Sequence, residues 1–261
     1  MFNKLRKVMN IFVRLAAVVA ASNLLTACEL DSNNVLENLN KNRAKWENAN
    51  IDTYQFEYSK SCNCMPEDTL PRLVVVNAGQ VVSQTIIESN VALPLDQVST
   101  ESIAGLFERI ALEESRAKSV TVEYDPELGY PTKIKVDISK RIADDEYTLY
   151  VSNVVNSEDL ACTTEVLSGL NISIVDSSTQ NAAACGVTVT ATEGDFSESV
   201  YNTDVGCDDS ALISMLDERP GFYTLTFEKS GYQAYQIDDV GIGQDLCHVL
   251  PRQLDVELSP Q

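Results

Sequence analysis

The segment Cys62-Asn63-Cys64-Met65 carries the residue types in this sequence that come closest to a reactive site. Two cysteines separated by one residue point to the same side of an extended strand, but a bond between them requires a tight bend. Three interpretations are open: a structural disulfide, a redox-active pair, or a soft site for a metal such as Cu(I). Two thiolates and the Met65 thioether are an incomplete ligand set, and the motif lacks the helix start that lowers a thiol pKa. We therefore expect a structural bridge and no cofactor.

His248 is the only histidine in the chain, and this restricts the enzymatic chemistry that is available. A zinc site with two or three histidines is impossible within one chain, and any serine or cysteine triad would have to use this residue. The neighbouring Cys247 cannot be its nucleophile, because adjacent side chains on a strand point to opposite faces. We predict a structural or surface role for His248, no catalytic residues and no enzymatic activity.

Two acidic clusters, Asp144-Asp145-Glu146 and Asp208-Asp209, are the remaining candidates for metal ligands. They lack the alternating oxygen ligands and the central glycine of a calcium loop, so we expect them to be solvated surface. No pattern supports the paired carboxylates of a glycosidase. The sequence therefore predicts no metal site.

The first 28 residues have the pattern of an export signal that ends in a lipid attachment site. Four basic residues accompany a mostly apolar run, 15–25, which is too short to span a bilayer stably as a helix. Leu25-Thr26-Ala27-Cys28 resembles the bacterial lipobox, which implies removal of residues 1–27 and attachment of diacylglyceryl and N-acyl chains, palmitate among them, to Cys28. Several acyl chains anchor a protein durably to a membrane. Glu29 is not the aspartate that resembles an inner-membrane retention signal, so we expect the outer membrane of the cell envelope.

The strongly acidic composition excludes several classes of partner. Loss of the four basic residues of the signal lowers the formal net charge from −20 to −24. Nucleic acids and anionic lipid headgroups are bound through basic patches, so we expect neither. The lipid on Cys28 would provide the contact with the membrane, and a further partner would be another envelope protein.

Residues 39–157 alternate helical and strand patterns and predict an α+β domain behind a tether, 28–38. Helix formers over 39–51 include the only tryptophan, and apolar residues recur at helical spacing over 103–110, in a helix entered through Thr100. Strands are predicted around residues 54–58, 71–76, 81–87, 120–124, 134–138 and 147–151, where apolar and polar residues alternate. Helices that precede antiparallel strands imply a helix-on-sheet layer.

Several motifs of this domain resemble one protein family. They are Trp46, the Tyr-x-Phe-x-Tyr strand, Cys62-Asn63-Cys64, the hairpin ending in Asn77-Ala78-Gly79, Gly105-Leu106-Phe107, and Tyr124-Asp125-Pro126-Glu127-Leu128-Gly129-Tyr130-Pro131. Together they look like a bacterial secreted family catalogued only as domain-of-unknown-function family 6174, over about residues 39–155. The resemblance implies no activity. The last motif also has a structural explanation, as a rigid loop that joins two strands.

Residues 158–261 lack helical periodicity and predict an all-β sandwich of the immunoglobulin or transthyretin type. Short alternating strands separated by turn residues are typical of such sandwiches. The segment Gly221-Phe222-Tyr223-Thr224-Leu225-Thr226-Phe227-Glu228-Lys229-Ser230-Gly231-Tyr232 is similar to carboxypeptidase regulatory-like, or transthyretin-like, domains, and Cys247-His248-Val249 fits that resemblance. Domains of this kind are accessory modules, which implies packing, spacing or binding rather than cleavage.

Six cysteines remain after Cys28, in a compartment where disulfides persist. The four cysteines of the second domain allow three connectivities. Cys162 precedes the first strand and Cys247 the last, so the two would meet if those strands are neighbours. Cys185 and Cys207 would then close a shorter loop. We predict these two bridges.

Taken together, the sequence predicts a lipid-anchored, two-domain envelope protein with a non-catalytic binding or scaffolding role. The alternative, from a different functional class, is thiol-redox or Cu(I) handling through Cys62, Cys64 and Met65. The two functions differ in whether the cysteine pair is permanently bonded.

Overall fold

The structure, a computed structural model, describes residues 29–96, 100–139, 144–203 and 206–261; the predicted signal peptide and Cys28 lie outside them. The first half of the chain contains α1 (Glu29–Asn48), β1 (Tyr54–Cys62), α2 (Pro66–Thr69), β2 (Arg72–Asn77), β3 (Gln80–Ile86), β4 (Val91–Ala92), α3 (Ile103–Arg116), β5 (Ser119–Tyr124), β6 (Pro131–Asp137) and β7 (Tyr147–Asn156). The second half contains a 3-10 turn (Ser157–Asp159), β8 (Ser168–Asp176), β9 (Val187–Glu193), β10 (Phe196–Tyr201), β11 (Ile213–Asp217), β12 (Gly221–Lys229), β13 (Tyr235–Ile242) and β14 (Arg252–Leu258).

The described residues are mostly β, so the α+β class predicted from the sequence is wrong. Eleven strands form one antiparallel sheet in the order β10-β9-β12-β13-β4-β3-β2-β1-β7-β6-β5, and β11-β8-β14 form a second sheet. The large sheet continues across the boundary predicted near residue 157, because Val91 of β4 pairs with Ile242 of β13. Local periodicity carries no information on such pairing between distant strands, and for that reason the sequence predicted a helix-on-sheet domain followed by a separate sandwich.

The helix α1 begins ten residues before the helix predicted at residue 39 and takes in residues 29–38 of the predicted tether. Its asparagines are bonded along the helix. The Asn38 side-chain amide donates to Asn34 Oδ1 at 3.0 Å, and the Asn42 amide donates to the Asn38 carbonyl at 2.8 Å. Asparagine is a weak helix former in isolation, and this is why the polar start of the helix resembled a spacer.

The core of the first half lies between α1, α3 and the large sheet. Both predicted helical patterns contribute to it, and the apolar stripe of α3 is fully buried: Ile103, Leu106, Phe107 and Ile110. The entry to α3 differs from the prediction, since the hydroxyl of Ser102 caps the helix by accepting from the Gly105 N–H at 3.4 Å. Thr100 instead donates its hydroxyl hydrogen to Gln84 Oε1 at 2.8 Å.

The second half has a sandwich-like arrangement. The strands β10, β9, β12 and β13 face the small sheet, and the side chains between the two layers are almost fully buried. Within the small sheet β14 runs parallel to β8, with Arg252 opposite Leu170 and Leu258 opposite Asp176. The first and last strands of this half are therefore neighbours, as the disulfide prediction required.

The two halves are joined by close backbone packing around β4 and β13. A Cβ added at Gly243 would lie 2.1 Å from Thr85 Oγ1. The segment after β13 therefore approaches β3 more closely than any side chain at residue 243 would allow. Two hydrogen bonds flank this contact. The Leu246 N–H donates to Gln55 Oε1 at 3.0 Å, and the Asn90 side-chain amide donates to the Pro251 carbonyl at 2.8 Å.

Candidate functional site

A groove of about 810 Å³ lies between α1 and β5. The helix side is formed by Val35, Asn38 and Asn42, the strand side by residues 119–122 and Tyr124, and the two ends by Glu114, Ala117, Lys118, Asp125 and Pro126. Polar groups form the rim, and valine and tyrosine side chains form the floor. A cavity of this size and composition can accept a small molecule or a short stretch of polypeptide. We take it as the candidate binding site.

The loop between β5 and β6 holds α1 at the distance that leaves the groove open. Gly129 has a φ of +79°, and a Cβ at this position would lie 2.5 Å from the Asn42 carbonyl oxygen. The Lys45 ammonium donates to the Pro126 carbonyl at 2.8 Å. Asp125 stiffens the loop by accepting from the Leu128 N–H at 2.7 Å. The Asp-Pro…Gly-Tyr-Pro motif is thus the structural loop that the sequence predicts, and it also builds one end of the groove.

Tyr124 contributes a hydroxyl group without a hydrogen-bonding partner. Its oxygen is buried and contacts no donor or acceptor among the described residues. Burial raises the pKa of Tyr124 to about 12, so the hydroxyl keeps its proton and can donate it. The ring stacks on Phe107 at a centroid distance of 6.4 Å and is fixed by this contact. A buried hydroxyl without a partner is costly in a folded protein.

Two carboxylates, Glu114 and Asp125, line the groove, and two ammonium groups, those of Lys45 and Lys118, lie near them. Burial raises the pKa of Glu114, and no cation of the described residues lies within salt-bridge distance of it. Lys118 is neutralised by an ion pair with Asp137. Asp125 adds a second carboxylate at the opposite end. The Glu114 end of the groove therefore favours a cationic or neutral group of a ligand over an anionic one.

Cys62 and Cys64 are joined by a disulfide at the end of β1. Cys64 and Met65 are exposed, with 67% of the Met65 surface accessible. In this oxidised form the two sulfurs are bonded to each other and are not thiolates, so this arrangement does not fit the Cu(I) site considered from the sequence. A pocket of about 260 Å³ beside the bond is lined by Cys62, Lys135, Glu146 and their neighbours.

Buried polar groups fix the segment that follows this disulfide. Arg72 is 2% exposed, and its guanidinium donates to the carbonyls of Glu67 and Asp68 at 3.0 and 3.2 Å. Burial lowers the pKa of this guanidinium. Tyr147 pairs with Cys62 across β7 and β1, and its hydroxyl donates to Glu113 Oε1 at 3.0 Å. The disulfide is therefore exposed but sits on a rigid support.

His248 is part of a hydrogen-bonded chain that the sequence did not reveal. Its Nε2 lies 3.0 Å from Thr163 Oγ1, and its Nδ1 lies 2.9 Å from Glu218 Oε1. Hydroxyl, imidazole and carboxylate in this order have the connectivity of a hydrolase triad. The three residues are widely separated along the chain, so no local motif could indicate the arrangement.

The surroundings of His248 lack a further requirement of acyl-transfer chemistry. An oxyanion needs free backbone donors, but the N–H groups of Cys247 and His248 both donate to Asp245 Oδ1, at 2.6 and 2.7 Å. The N–H of Val249 donates to Glu218 Oε2 at 3.2 Å. A hydrogen bond from the Leu167 N–H is the main cause that holds the pKa of Glu218 below its usual range. The geometry favours a structural role, in which hydrogen bonds from Glu218 and Thr163 to residues 248 and 249 fix the segment before β14.

The two other disulfides join Cys162 to Cys247 and Cys185 to Cys207, which confirms the predicted pairing. Asp208 accepts from the N–H and the hydroxyl of Ser210, as expected of a surface turn. In the other acidic cluster both carboxylate oxygens of Asp145 are buried and have no hydrogen-bonding partner among the described residues, so the solvated surface expected there is wrong for this residue. Within the described ranges no group of three or more His, Cys, Asp or Glu residues could hold a metal ion. In the same ranges no helix is both long and apolar enough to cross a bilayer.

Part of the chain, which includes most of the groove, matches a known protein family. Residues 38–156 match the family of unknown function DUF6174. This confirms the resemblance predicted from the motifs for the first half of the chain. No curated protein matches the sequence. The matched region ends at the last residue of β7 and contains the Cys62–Cys64 bond and every groove residue except Val35. The hydrogen-bonded residues Thr163, His248 and Glu218 lie outside it.

Sequence reasoning found some residues of the groove but not their role. Asp125 and Gly129 were recognised as loop residues, whereas the position of β5 at the edge of the large sheet was not predicted. The residues of β5, with exposed Thr121 between the more buried Val120 and Val122, have the same alternating pattern as an internal strand. No signal in the sequence distinguishes the two, because an edge strand is defined by the absence of a neighbour.

Proposed function

We propose that this chain is a lipid-anchored protein of the cell envelope, in the outer membrane, with a non-catalytic binding role. The groove between α1 and the open edge of the large sheet is the observation that carries the proposal. The lipobox-like segment before Glu29 supports the anchor at Cys28. The sandwich-like second half, with its resemblance to carboxypeptidase regulatory-like domains, would serve as an accessory module, and the partner would be another envelope protein.

The continuity of α1 gives this proposal a defined geometry. Glu29 follows Cys28 directly and already belongs to the helix. Val35, the first groove residue, lies six residues further on, or about 9 Å along a helix axis. A lipid on Cys28 would hold one end of the groove close to the membrane surface, where it meets other envelope proteins.

The proposal predicts separate losses of anchoring and binding. Wild-type protein should fractionate with outer membranes, whereas Cys28→Ser should appear as a soluble, unlipidated precursor. A photo-crosslinking amino acid at Thr121, exposed on the edge strand beside the groove, should give an adduct with an envelope protein. The same amino acid at Ser199, an exposed position on the other edge strand, is the matched control.

Two results would contradict the proposal. Unchanged membrane fractionation of Cys28→Ser would remove the lipid anchor. Equal crosslinking from Thr121 and Ser199, or none from either, would remove the groove as the binding site.

A second candidate function, thiol-disulfide exchange, is favoured by the exposure of the Cys62–Cys64 bond. Its ring spans a sequence separation of only 2, so opening it disturbs no pairing between strands. In such an exchange a partner dithiol would be oxidised to a disulfide, and two electrons and two protons would convert Cys62 and Cys64 to thiols.

If this second function is correct, Cys62–Cys64 should equilibrate with glutathione buffers while the protein stays folded. We expect alkylation and peptide mapping to show these two thiols before any from Cys162–Cys247 or Cys185–Cys207. Cys62→Ser should abolish the exchange and leave both other bridges closed. A Cys62–Cys64 bond that opens only together with global unfolding would mean that it is structural.

A further inference from the structure

We infer that the groove binds an extended polypeptide segment, which adds to β5 as a further strand and carries Lys or Arg next to alternating apolar residues. This inference rests on the proposed binding function and specifies its ligand. Strand addition supplies affinity through backbone hydrogen bonds and specificity through alternate side chains.

The free backbone edge of β5 is the first observation. The strand is the last of the eleven-stranded sheet and pairs on one side only, with β6. The Lys118 N–H donates towards β6, to the carbonyls of Asp137 and Ile138. Backbone groups alternate in direction along an antiparallel strand, so those of Ser119, Thr121 and Glu123 point away from β6. An incoming strand would find both donors and acceptors there.

The floor of the groove matches the side chains of such a strand. Val120, Val122 and Tyr124 project to the helix side of β5 and form an apolar surface that α1 does not cover completely. Alternate apolar side chains of an added strand would lie beside them.

The charges select the flanking residues of the ligand. Glu114 and Asp125 lie at opposite ends of the groove, and the nearby Lys118 is paired with Asp137. The Lys45 ammonium lies beside Asp125, since it donates to the Pro126 carbonyl, so a cationic side chain of an added strand would meet an unpaired carboxylate at the Glu114 end.

The test uses a fluorescent peptide of alternating valine and threonine with lysine at both ends, and the purified mature protein. We expect saturable binding that weakens as salt is added. A peptide with glutamate at both ends should bind at least about tenfold more weakly, and methylation of alternate backbone N–H groups should weaken binding by a similar factor. Glu114→Lys should weaken binding of the lysine peptide about tenfold and strengthen binding of the glutamate peptide. Glu257→Lys, an exposed charge reversal on β14, should change neither.

Equal binding of the lysine, glutamate and N-methylated peptides would overturn strand addition. Dimerisation of the protein through β5, with exclusion of the peptide, would assign the groove to a second copy instead. If no peptide binds while Thr121 still crosslinks to an envelope protein, strand addition fails and the proposed binding function stands. Circular dichroism of Glu114→Lys would separate lost binding from lost folding.

Discussion

Removal of the Cys162–Cys247 bridge should lower the free energy of unfolding of the second half of the chain by about 4–5 kcal/mol. The bond closes a loop with a sequence separation of 85, so it restricts the unfolded chain strongly. It also links the segment before β8 to the segment before β14, and β14 is paired with β8 along its whole length. The measurement is denaturant unfolding of the double variant Cys162→Ser/Cys247→Ser.

The matched control is Cys185→Ser/Cys207→Ser. This bridge closes a loop with a sequence separation of 22, for which loop-closure entropy predicts a loss of about 3 kcal/mol. A larger loss from the shorter loop would show that the bonds act mainly through native contacts rather than through the unfolded chain. The adjacent Glu218–His248 contact should also loosen in the first variant, because Cys247 precedes His248 directly.

Gly129→Ala should lower the free energy of unfolding of the first half by about 3 kcal/mol and shift α1, which forms one side of the groove. The backbone at this residue has a φ of +79°, which costs a side chain about 1 kcal/mol, and the new methyl group would lie 2.5 Å from the Asn42 carbonyl oxygen. Neither group can move easily, since the contact is with helix backbone, and overpacking of this kind costs about 1–3 kcal/mol. Urea unfolding measures the loss of stability.

Gly79→Ala is the matched control for this variant. Gly79 has nearly the same φ, +77°, but no atom lies within 4 Å of an added Cβ. It should cost only about 1 kcal/mol, and the difference between the two variants isolates the clash with α1. Trp46 lies edge-to-face against Tyr130 at 6.2 Å, so its fluorescence should report movement of α1 in Gly129→Ala alone. Equal losses of stability in the two variants would contradict the proposed role of Gly129 as the contact that positions the helix.

Both predictions follow from residues that the sequence had already marked, but the sequence marked them for local reasons. The glycine in Gly129-Tyr130-Pro131 indicated a turn, and its contact with Asn42 emerged only from the packing of α1. The apolar stripe from Ile103 to Ile110 was identified correctly because a helix repeats every 3.6 residues whatever it packs against. The disulfide pairing could also be predicted from the sequence, since it required only that the first and last strands of one region be neighbours.

The sequence by itself determined which faces of the helices and strands are buried, because burial follows the local alternation of apolar and polar residues. It also determined the acidic surface, the lipobox-like pattern before Cys28 and the even number of remaining cysteines. The tertiary structure decided the rest. Pairing of Val91 with Ile242 joined the two halves into one sheet, and the same strand order left β5 at its edge. Strand pairing depends on backbone groups that every residue carries, so the side-chain pattern cannot reveal which strand ends the sheet or where a groove remains beside it.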